Sequence, residues 1–365
     1  MSPEHEAVEL LTQLVGIDSV NPGLVNGAAG EADIVRFLAT RLEANGFTIH
    51  IVPSQDETNR PSLVAVGPGE GPTVVLNGHL DTVGVKGMEN PFTAQVEGDK
   101  LFARGAADMK GGVAALVVAA EHLSRSSSSY RPLLALVADE EDASRGSEAV
   151  IAALPGLGIH PDLCLIAEPT GLDLAVSLRG FAVVRARISG RAAHSSQPEL
   201  GINAVTQLGH LLSAIENKAQ EIRETGGDLM VTMVRGGESS FVIPDEAECI
   251  IELRTVPGQR SDQVLEVVRS LGDSTWTWDL ELVASREAWQ LQAEGPAAHL
   301  SQALALELGT KLNFVAPYWM EAPLWEEVCP TLICGPTGGG LHAIDEWVDL
   351  RQVRSLCSAL IKLLA

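Results

Sequence analysis

Residues 73 to 82 read Thr-Val-Val-Leu-Asn-Gly-His-Leu-Asp-Thr, and the apolar, β-branched run at the start of this stretch predicts a buried strand. Polar residues follow at the carboxyl end of that strand, which is where open α/β sheets carry their chemistry. His79 and Asp81 are two residues apart, so an extended backbone puts both side chains on one face, where the carboxylate can hold the imidazole in one tautomer. A histidine held in this way is a good zinc ligand. Taken alone, the motif fits a plain hydrogen-bonded His–Asp pair equally well.

The length and charge of the chain narrow its class. It has 365 residues, more than one hydrophobic core usually organises, so two domains are expected. Its formal net charge is −23, which argues against nucleic acid or an anionic membrane as a partner because each phosphate contact needs Lys or Arg. A cationic or zwitterionic small substrate fits this field better, although acidity also serves solubility alone.

The cysteines indicate the compartment. Their number is odd and they are scattered, which argues against a disulfide framework or a CxxC zinc site; they are Cys164, Cys249, Cys329, Cys334 and Cys357. The acidic N-terminus lacks the apolar core of a signal peptide, and no apolar run approaches the ~18 residues of a membrane span. A soluble protein of the reducing cytoplasm is therefore expected.

Other residues with metal-ligand chemistry follow other predicted strands or precede a helix. Asp108 stands just before the helix predicted over residues 113–124, where it is either an N-cap or a carboxylate able to bridge two metal ions. The run from Asp139 to Asp142 follows the strand predicted over residues 132–138, and it is either a solvated acidic turn or a group neutralised by cations.

Glu168 and His342 have the same kind of position. Glu168 follows a short strand over residues 163–167, and His342 lies in a glycine-rich loop after a strand over residues 331–334. An ordinary loop glutamate and a solvated loop histidine are the alternatives. Because the carboxyl ends of parallel strands meet at one edge of a sheet, all these residues are expected to come together. Two histidines and several carboxylates suit two zinc ions that share one carboxylate.

Strands alternate with helices along most of the chain, which predicts an α/β fold with a mixed, largely parallel sheet covered by helices. From about residue 178 the pattern changes to the βαββαβ order of a ferredoxin-like module. We therefore expect a catalytic domain of residues 1–177 and 287–365, with residues 178–286 inserted as a second domain. Predicted helices cover 4–15, 31–45, 113–124, 202–222, 262–271, 295–308 and 351–364, and predicted strands cover 48–52, 62–66, 73–76, 132–138, 163–167, 181–188, 229–234, 247–256, 279–283 and 331–334.

The chain resembles, over nearly its whole length, the dinuclear-zinc amidohydrolases and exopeptidases, a family that includes acetylornithine deacetylase, succinyl-diaminopimelate desuccinylase, aminoacylase and glutamate carboxypeptidase. The stretches that carry the resemblance are Asn77-Gly-His-Leu-Asp-Thr-Val83, Gly105-Ala-Ala-Asp-Met-Lys-Gly-Gly112, Ala138-Asp-Glu-Glu-Asp142 and Ala167-Glu-Pro-Thr170. The resemblance implies a zinc-exopeptidase-like catalytic domain with an inserted lid and dimerisation domain. It also implies two Zn²⁺ ions, for which Co²⁺ is a possible substitute, and a homodimer.

The resemblance also implies a role for each motif residue. The metal ligands would be His79, Asp108, Glu141, Glu168 and His342, with Asp108 bridging the ions and followed by a cis peptide bond. Asp81 would support His79, and Glu140 would be the general base that takes a proton from a metal-bridged water and passes it to the leaving amine.

The remaining predictions concern the substrate. By the same resemblance, His194 in the inserted domain would stabilise the oxyanion in the partner subunit's site, and Arg254 would hold the substrate's α-carboxylate. The tail around Glu321-Ala-Pro-Leu is most similar to acetylornithine deacetylase, which favours N-acetylornithine, with Glu321 facing the cationic side chain or lying on the surface. The alternatives are a metallo-carboxypeptidase or dipeptidase, and a deacylase of acetylcitrulline or succinyl-diaminopimelate. A non-catalytic metal-binding protein is disfavoured because Glu140 is present.

Overall fold

The computed structural model describes residues 2–54, 57–126 and 128–365. The chain divides into two compact units, one of Met1–Val176, Leu291–Val315 and Met320–Ala365 and the other of Ser177–Gln290 and Ala316–Trp319. The predicted roles of residues 178–286 as lid and dimerisation domain stay predictions.

Nine α-helices and nineteen strands are present in the described ranges. The helices are α1 (Pro3–Val15), α2 (Ala32–Ala44), α3 (Gly111–Arg125), α4 (Arg145–Ala153), α5 (Ala204–Glu224), α6 (Val264–Leu271), α7 (Pro296–Leu308), α8 (Ala322–Glu326) and α9 (Leu350–Leu364). The strands are β1 (Thr48–Ser54), β2 (Glu57–Val66), β3 (Thr73–His79), β4 (Gln95–Glu97), β5 (Lys100–Phe102), β6 (Arg131–Val137), β7 (Leu163–Ile166), β8 (Leu174–Leu178), β9 (Gly180–Ser189), β10 (Ala193–His194), β11 (Asp228–Gly236), β12 (Val242–Ile243), β13 (Glu246–Thr255), β14 (Thr277–Arg286), β15 (Trp289–Gln290), β16 (Leu312–Ala316), β17 (Thr331–Ile333), β18 (Gly338–Gly339) and β19 (Trp347–Asp349).

The central sheet of the first unit has the strand order β1-β2-β6-β3-β7-β17. β3 runs parallel to β6 and β7, and β17 runs parallel to β7, whereas β2 is antiparallel to both β1 and β6. The mixed, largely parallel sheet predicted from the sequence is therefore confirmed. Parallel strands end at one edge, so the residues that follow β3, β6, β7 and β17 are neighbours.

Helices cover the sheet because its strands are apolar on both sides. Every residue of β3 is buried, as expected of a central parallel strand. Alternate side chains such as Leu76 and Leu134 join one core with residues of α1, α2, α3, α7 and α9. On the other face, α4 lies so close to β2 that a Cβ at Gly146 would stand 2.8 Å from the Ser62 hydroxyl.

Two glycines allow the start of α3 to approach the sheet. A Cβ at Gly78 would lie 2.8 Å from the terminal methyl of Met109, and a Cβ at Gly112 would lie 2.3 Å from the carbonyl oxygen of Ala167. The turn before α3, a kinked turn over Ala106–Lys110, can therefore rest directly on the ends of β3 and β7.

The sequence pattern predicted neither α4 nor α8, whereas the predicted helices and strands are present with bounds that differ by a few residues. Both missed helices are short, at 9 and 5 residues, and helices of this length depend on tertiary packing more than on propensity. No helix in the described ranges is long and apolar enough to cross a bilayer.

The second unit contains the predicted βαββαβ order as β9, α5, β11, β13, α6 and β14. Its strands form an antiparallel sheet in the order β11-β13-β9-β14, the arrangement of a ferredoxin-like module. Residues of α5 and α6, including Leu211 and Val268, complete a core with alternate residues of the sheet such as Val184 and Ile251. The predicted ferredoxin-like module is confirmed.

Candidate metal centre

The carboxyl edge of the central sheet gathers the polar residues predicted for the site. His79 is the last residue of β3 and pairs in register with Val137 at the end of β6, which the acidic run Asp139–Asp142 follows. Glu168 follows β7, and His342 lies in the loop after β18. Asp108 reaches the same place from the turn that precedes α3.

The Asp108 carboxylate lies between the two histidines. Its Oδ1 is 3.0 Å from His79 Nε2, and its Oδ2 is 3.2 Å from His342 Nε2. Glu141 Oε2 is 3.0 Å from His342 Nε2, and Glu168 Oε1 is 3.9 Å from His79 Nε2. Each oxygen of one carboxylate thus faces one histidine, and each histidine has a further carboxylate beside it.

The donor atoms converge closely enough to share ions. One set is His79, Asp108 and Glu141, and another is His79, Glu140 and Glu168; within each, the ligand atoms lie within 4.8 Å of one another. Imidazole nitrogens and carboxylate oxygens are donors suited to zinc and similar divalent ions. Glu141 Oε1 is buried and has no hydrogen-bond partner within the described ranges, although such an oxygen normally needs one. The residues present therefore fit a pair of divalent cations.

The alternatives open at Asp108 and Glu168 are wrong. Asp108 is not the N-cap of α3, because that position is Lys110, and the peptide bond between Asp108 and Met109 is cis as the resemblance implied. Glu168 is 5% exposed and is not a solvated loop residue. The His342 side chain is half-exposed, yet its Nε2 contacts two carboxylates.

Asp81 makes more contacts than the sequence predicted. The closest partner of His79 Nδ1 is the backbone carbonyl of Asp81 at 3.0 Å, and the carboxylate Oδ1 stands farther away at 3.5 Å. The carboxylate instead accepts the backbone N–H groups of Glu140 and Glu141, both at 3.1 Å, and the Asn21 amide at 2.7 Å. Asp81 therefore fixes the backbone of the acidic run as well as the histidine.

A buried ion network supports the same run from behind. Arg60 donates to Glu31 and to Asp139, and Asn21 also donates to Asp139 Oδ1 at 3.1 Å. Asp139 is 1% exposed and Glu31 is fully buried, so the start of the acidic run is not solvated, whereas Asp142 at its end is exposed. Removing one partner of such a buried ion pair typically lowers the free energy of unfolding by about 3–5 kcal/mol. The three charged residues of the network therefore depend on one another. Glu31 and Arg60 were not predicted as part of the site, since an isolated Glu or Arg has no local sequence signature.

The electrostatics of the cluster reflect crowded carboxylates. Burial raises the pKa of Glu140 well above its usual range, and the negative charge of Glu168 adds to this shift. Burial also raises the pKa of Glu168, where Asp108 and Glu321 add negative charge. At Asp108 burial opposes ionisation, but hydrogen bonds from His342 and His79 hold the pKa below its usual value. Hydrogen bonds to Asp108 and Glu141 raise the pKa of His342 to about 10.

Glu321 lies close to this cluster and is 1% exposed, so the surface alternative is wrong. Its Oε2 accepts a 2.7 Å hydrogen bond from the Ser147 hydroxyl, which in turn accepts one from Trp325 Nε1 at 3.2 Å. Its charge contributes to the raised pKa of Glu140 and Glu168.

His194 and Arg254 belong to the second unit. His194 is exposed in β10, and its Nδ1 lies 2.8 Å from the Ser196 hydroxyl and accepts the Ser196 N–H at 3.2 Å. Arg254 lies on β13 with its guanidinium 5.5 Å from the centre of the Phe181 ring and its Nε 2.5 Å from Glu252. Their predicted roles in catalysis and substrate binding stay predictions.

Comparison with known proteins gives relatives over nearly the full chain. Acetylornithine deacetylase of Proteus mirabilis is 27% identical over 377 residues, covering 97% of this chain and 96% of that protein. Acetylornithine deacetylase of Photorhabdus laumondii is 29% identical over 381 residues, with the same coverage.

Solved structures share the fold at lower identity. A tripeptidase from Staphylococcus aureus superposes with a TM-score of 0.82 at 17% identity, covering 99% of this chain and 97% of that one. A dinuclear metal-binding peptidase of the M20 family from Bacillus subtilis gives a TM-score of 0.72 at 17% identity, covering 99% and 98%. The sequence pattern of peptidase family M20/M25/M40 matches residues 75–365. The chain therefore belongs to peptidase family M20/M25/M40 and is a metal-dependent hydrolase of amide bonds.

Proposed function

We propose that the protein hydrolyses the amide bond of N-acyl-L-amino acids with two zinc ions bound, and that its substrate is N-acetylornithine. One observation carries the proposal: the Asp108 carboxylate presents one oxygen to each histidine, with Glu140 beside the cluster. The two relatives named acetylornithine deacetylase support the choice of substrate. This activity would serve arginine biosynthesis.

The metal ions would be held by five residues. His79 and Glu168 would hold one ion, Glu141 and His342 the other, and Asp108 would contact both. Bound there, divalent ions would polarise the scissile carbonyl and lower the pKa of the attacking water. The nitrogen and oxygen donors suit zinc, and cobalt would substitute.

Glu140 is the general base of the proposed reaction. Its backbone N–H is anchored on Asp81, so its carboxylate is held at the cluster and can accept a proton from the attacking water. The protonated carboxyl then delivers that proton to the leaving amine as the carbon–nitrogen bond breaks.

His194 is the proposed donor to the oxyanion. Because Nδ1 accepts the Ser196 N–H, the neutral ring carries its proton on Nε2, which is then available to donate a hydrogen bond. The residue is exposed, so it is accessible to a partner subunit.

A homodimer is the proposed assembly. The second unit exposes a set of large apolar side chains, of which Val242 pairs in register with His194, and exposed apolar groups of this kind are typical of protein–protein interfaces. They are Leu200, Ile202, Val205, Val234, Phe241 and Val242, of which Phe241 is 70% exposed.

If His194 acts across subunits, two inactive variants will complement each other. His194→Ala should lose roughly 10²–10³-fold in turnover, as expected for one oxyanion donor. Mixing it with Glu140→Gln under conditions that exchange subunits should restore roughly a quarter of wild-type activity, because half of the dimers are mixed and each has one intact site. Assays of the mixture against each variant alone measure this. Absence of any recovery, with subunit exchange verified, contradicts the proposal that His194 acts in the partner's site.

Arg254 is the proposed anchor of the substrate's α-carboxylate. Its planar fork suits bidentate binding, and its side chain is 30% exposed, so it remains accessible while Phe181 supports it from one side.

A substrate panel tests the proposed function. With zinc or cobalt added, kcat/KM should be highest for N-acetylornithine among N-acetylornithine, N-acetylcitrulline, succinyl-diaminopimelate and Xaa-Glu dipeptides. Faster cleavage of the dipeptides would favour the carboxypeptidase or dipeptidase alternative. No hydrolysis of any member by protein that holds two metal ions would reject the proposal.

Glu321 is proposed to contact the cationic δ-amine of the substrate. A hydrogen bond to a charged group is worth about 1.5–3 kcal/mol, so Glu321→Gln should lower the preference for acetylornithine over acetylmethionine by roughly 10-fold or more. The ratio of kcat/KM for the two substrates measures the effect. Glu327→Gln is the matched control, since Glu327 is exposed six residues farther along the chain. If this ratio of kcat/KM is unchanged in Glu321→Gln, Glu321 does not contact the δ-amine of the substrate.

The cytoplasm is the proposed location. All five cysteines are free and buried, as is usual for proteins of a reducing compartment.

A further inference from the structure

Glu346 is a buried carboxylate that faces the Asp108 turn without pointing at the metal cluster. Its Oε1 accepts the backbone N–H groups of Ala107 at 2.9 Å and Asp108 at 3.1 Å. Its Oε2 accepts the N–H of Gly105 at 3.0 Å and a 2.6 Å hydrogen bond from Arg104. With 1% exposure and four donors, this carboxylate is fully engaged in holding the turn that presents Asp108.

Arg104 connects the same carboxylate to the loop that carries His342. Its second terminal nitrogen donates to the carbonyl of Ala343, the residue after His342, and to the carbonyl of Gly84, both at 3.1 Å. Arg104 is 2% exposed, so these bonds form away from bulk water. The pair thus joins three segments of the chain around the cluster.

The backbone of His342 needs such support. Its φ is 60°, in the left-handed region that residues other than glycine rarely adopt. A backbone of this kind persists where the surrounding contacts determine it. Here Ala343 donates to the Gly340 carbonyl at 2.8 Å while its own carbonyl is held by Arg104.

We propose that Glu346 and Arg104 are positioning residues, which fix the spacing between Asp108 and His342 and thereby set the affinity for the ion that these two residues share with Glu141. The inference rests on the proposed use of the cluster as a metal site. Hydrogen-bond partners behind the ligands of a metal typically contribute 10–100-fold to its affinity.

Metal binding by the purified full-length chain tests the proposal. Glu346→Gln keeps the shape but replaces one acceptor oxygen by an NH₂ group, which must face either backbone N–H groups or the guanidinium. We expect one of two Zn²⁺ equivalents to bind about 10–100-fold more weakly, measured by competition with a chromophoric chelator. The equivalent held by His79 and Glu168 should change less. Arg104→Lys keeps the charge but not the fork, and should weaken the same equivalent.

Glu121→Gln is the matched control. Glu121 is fully buried in the last turns of α3 and forms a two-point ion pair with Arg41, at 2.7 and 2.8 Å, away from the cluster. It should lower the melting temperature and leave both zinc affinities unchanged.

Two outcomes bear on the proposal in opposite ways. Selective weakening of one equivalent in Glu346→Gln, or in Arg104→Lys if the first variant does not fold, supports it. Wild-type affinities in these variants, with a loss of melting temperature like that of Glu121→Gln, overturn it. Since zinc binding is read without substrate, wild-type protein that binds two ions but cleaves no acyl-amino acid contradicts the proposed function alone.

Discussion

Asp108→Ala is expected to abolish binding of both metal ions and, with them, activity. The carboxylate offers Oδ1 beside His79 and Oδ2 beside His342, so in the proposed two-ion centre its removal would take one ligand from each ion. Glu141 and Glu168 would remain as carboxylate ligands, but the carboxylate between the two histidines would be missing. The loss of affinity should exceed the roughly 10–100-fold typical of an outer hydrogen-bond partner.

Asp108→Asn is a milder variant that tests the same prediction, because it removes one ligand oxygen instead of two. The amide keeps one oxygen and turns an NH₂ group, a poor ligand, toward the other histidine, so at most one ion should remain tightly bound. Metal analysis after reconstitution and dialysis gives the stoichiometry, and the wild type should approach two ions per chain.

Asp142→Ala is the control for both variants, because Asp142 is an exposed acid one residue beyond Glu141. It should keep both ions. Two bound ions and full activity in Asp108→Ala would rule out a centre in which Asp108 bridges.

The sequence predicted the fold and the cluster because both depend on local pattern. The apolar run before His79 specifies a buried parallel strand, and parallel strands bring their carboxyl ends to one edge whatever lies between them. Once β3, β6 and β7 are in register, His79, Glu140 and Glu168 converge without further information.

The supporting contacts were not predictable in the same way. Glu346 lies 238 residues from Asp108 in sequence, and Arg60 lies 79 residues from Asp139. Nothing in the residues around Glu346 or Arg60 distinguishes them from surface charges, which is what such residues usually are. Their burial follows from tertiary packing, and only the folded chain reveals the partner of each.

The position of Asp81 illustrates the same limit. The spacing of the two residues predicted a contact between the Asp81 carboxylate and the His79 imidazole, because residues two apart on a strand share a face. The chain leaves the strand at His79, so the carbonyl of Asp81 lies closest to the imidazole at 3.0 Å and the carboxylate lies 3.5 Å from it. The carboxylate also accepts the backbone N–H groups of Glu140 and Glu141. The backbone after His79 is irregular, so Asp81 stays in the site but makes contacts that its spacing from His79 does not predict.

Glu140→Gln is expected to keep both metal ions and lower kcat by roughly 10²–10⁴-fold, which corresponds to about 2.7–5.4 kcal/mol of lost transition-state stabilisation. The side chain keeps its size, and the hydrogen bond from the residue 140 N–H to Asp81 belongs to the backbone, so the local structure should persist. An amide cannot take up the proton, and KM should change little because the loss concerns the transition state.

Asp142→Asn is the control that separates Glu140 from its neighbours in the acidic run. Asp142 is exposed, and its carboxylate is the next candidate for a base if Glu140 is not one. Steady-state kinetics of both variants, with metal content measured on the same samples, decides between them. A Glu140→Gln enzyme with two ions and near wild-type kcat, beside a slow Asp142→Asn enzyme, would transfer the proton acceptor to Asp142. The opposite pattern leaves Glu140 as the base, because Asp142→Asn removes one negative charge from the same run at an exposed position.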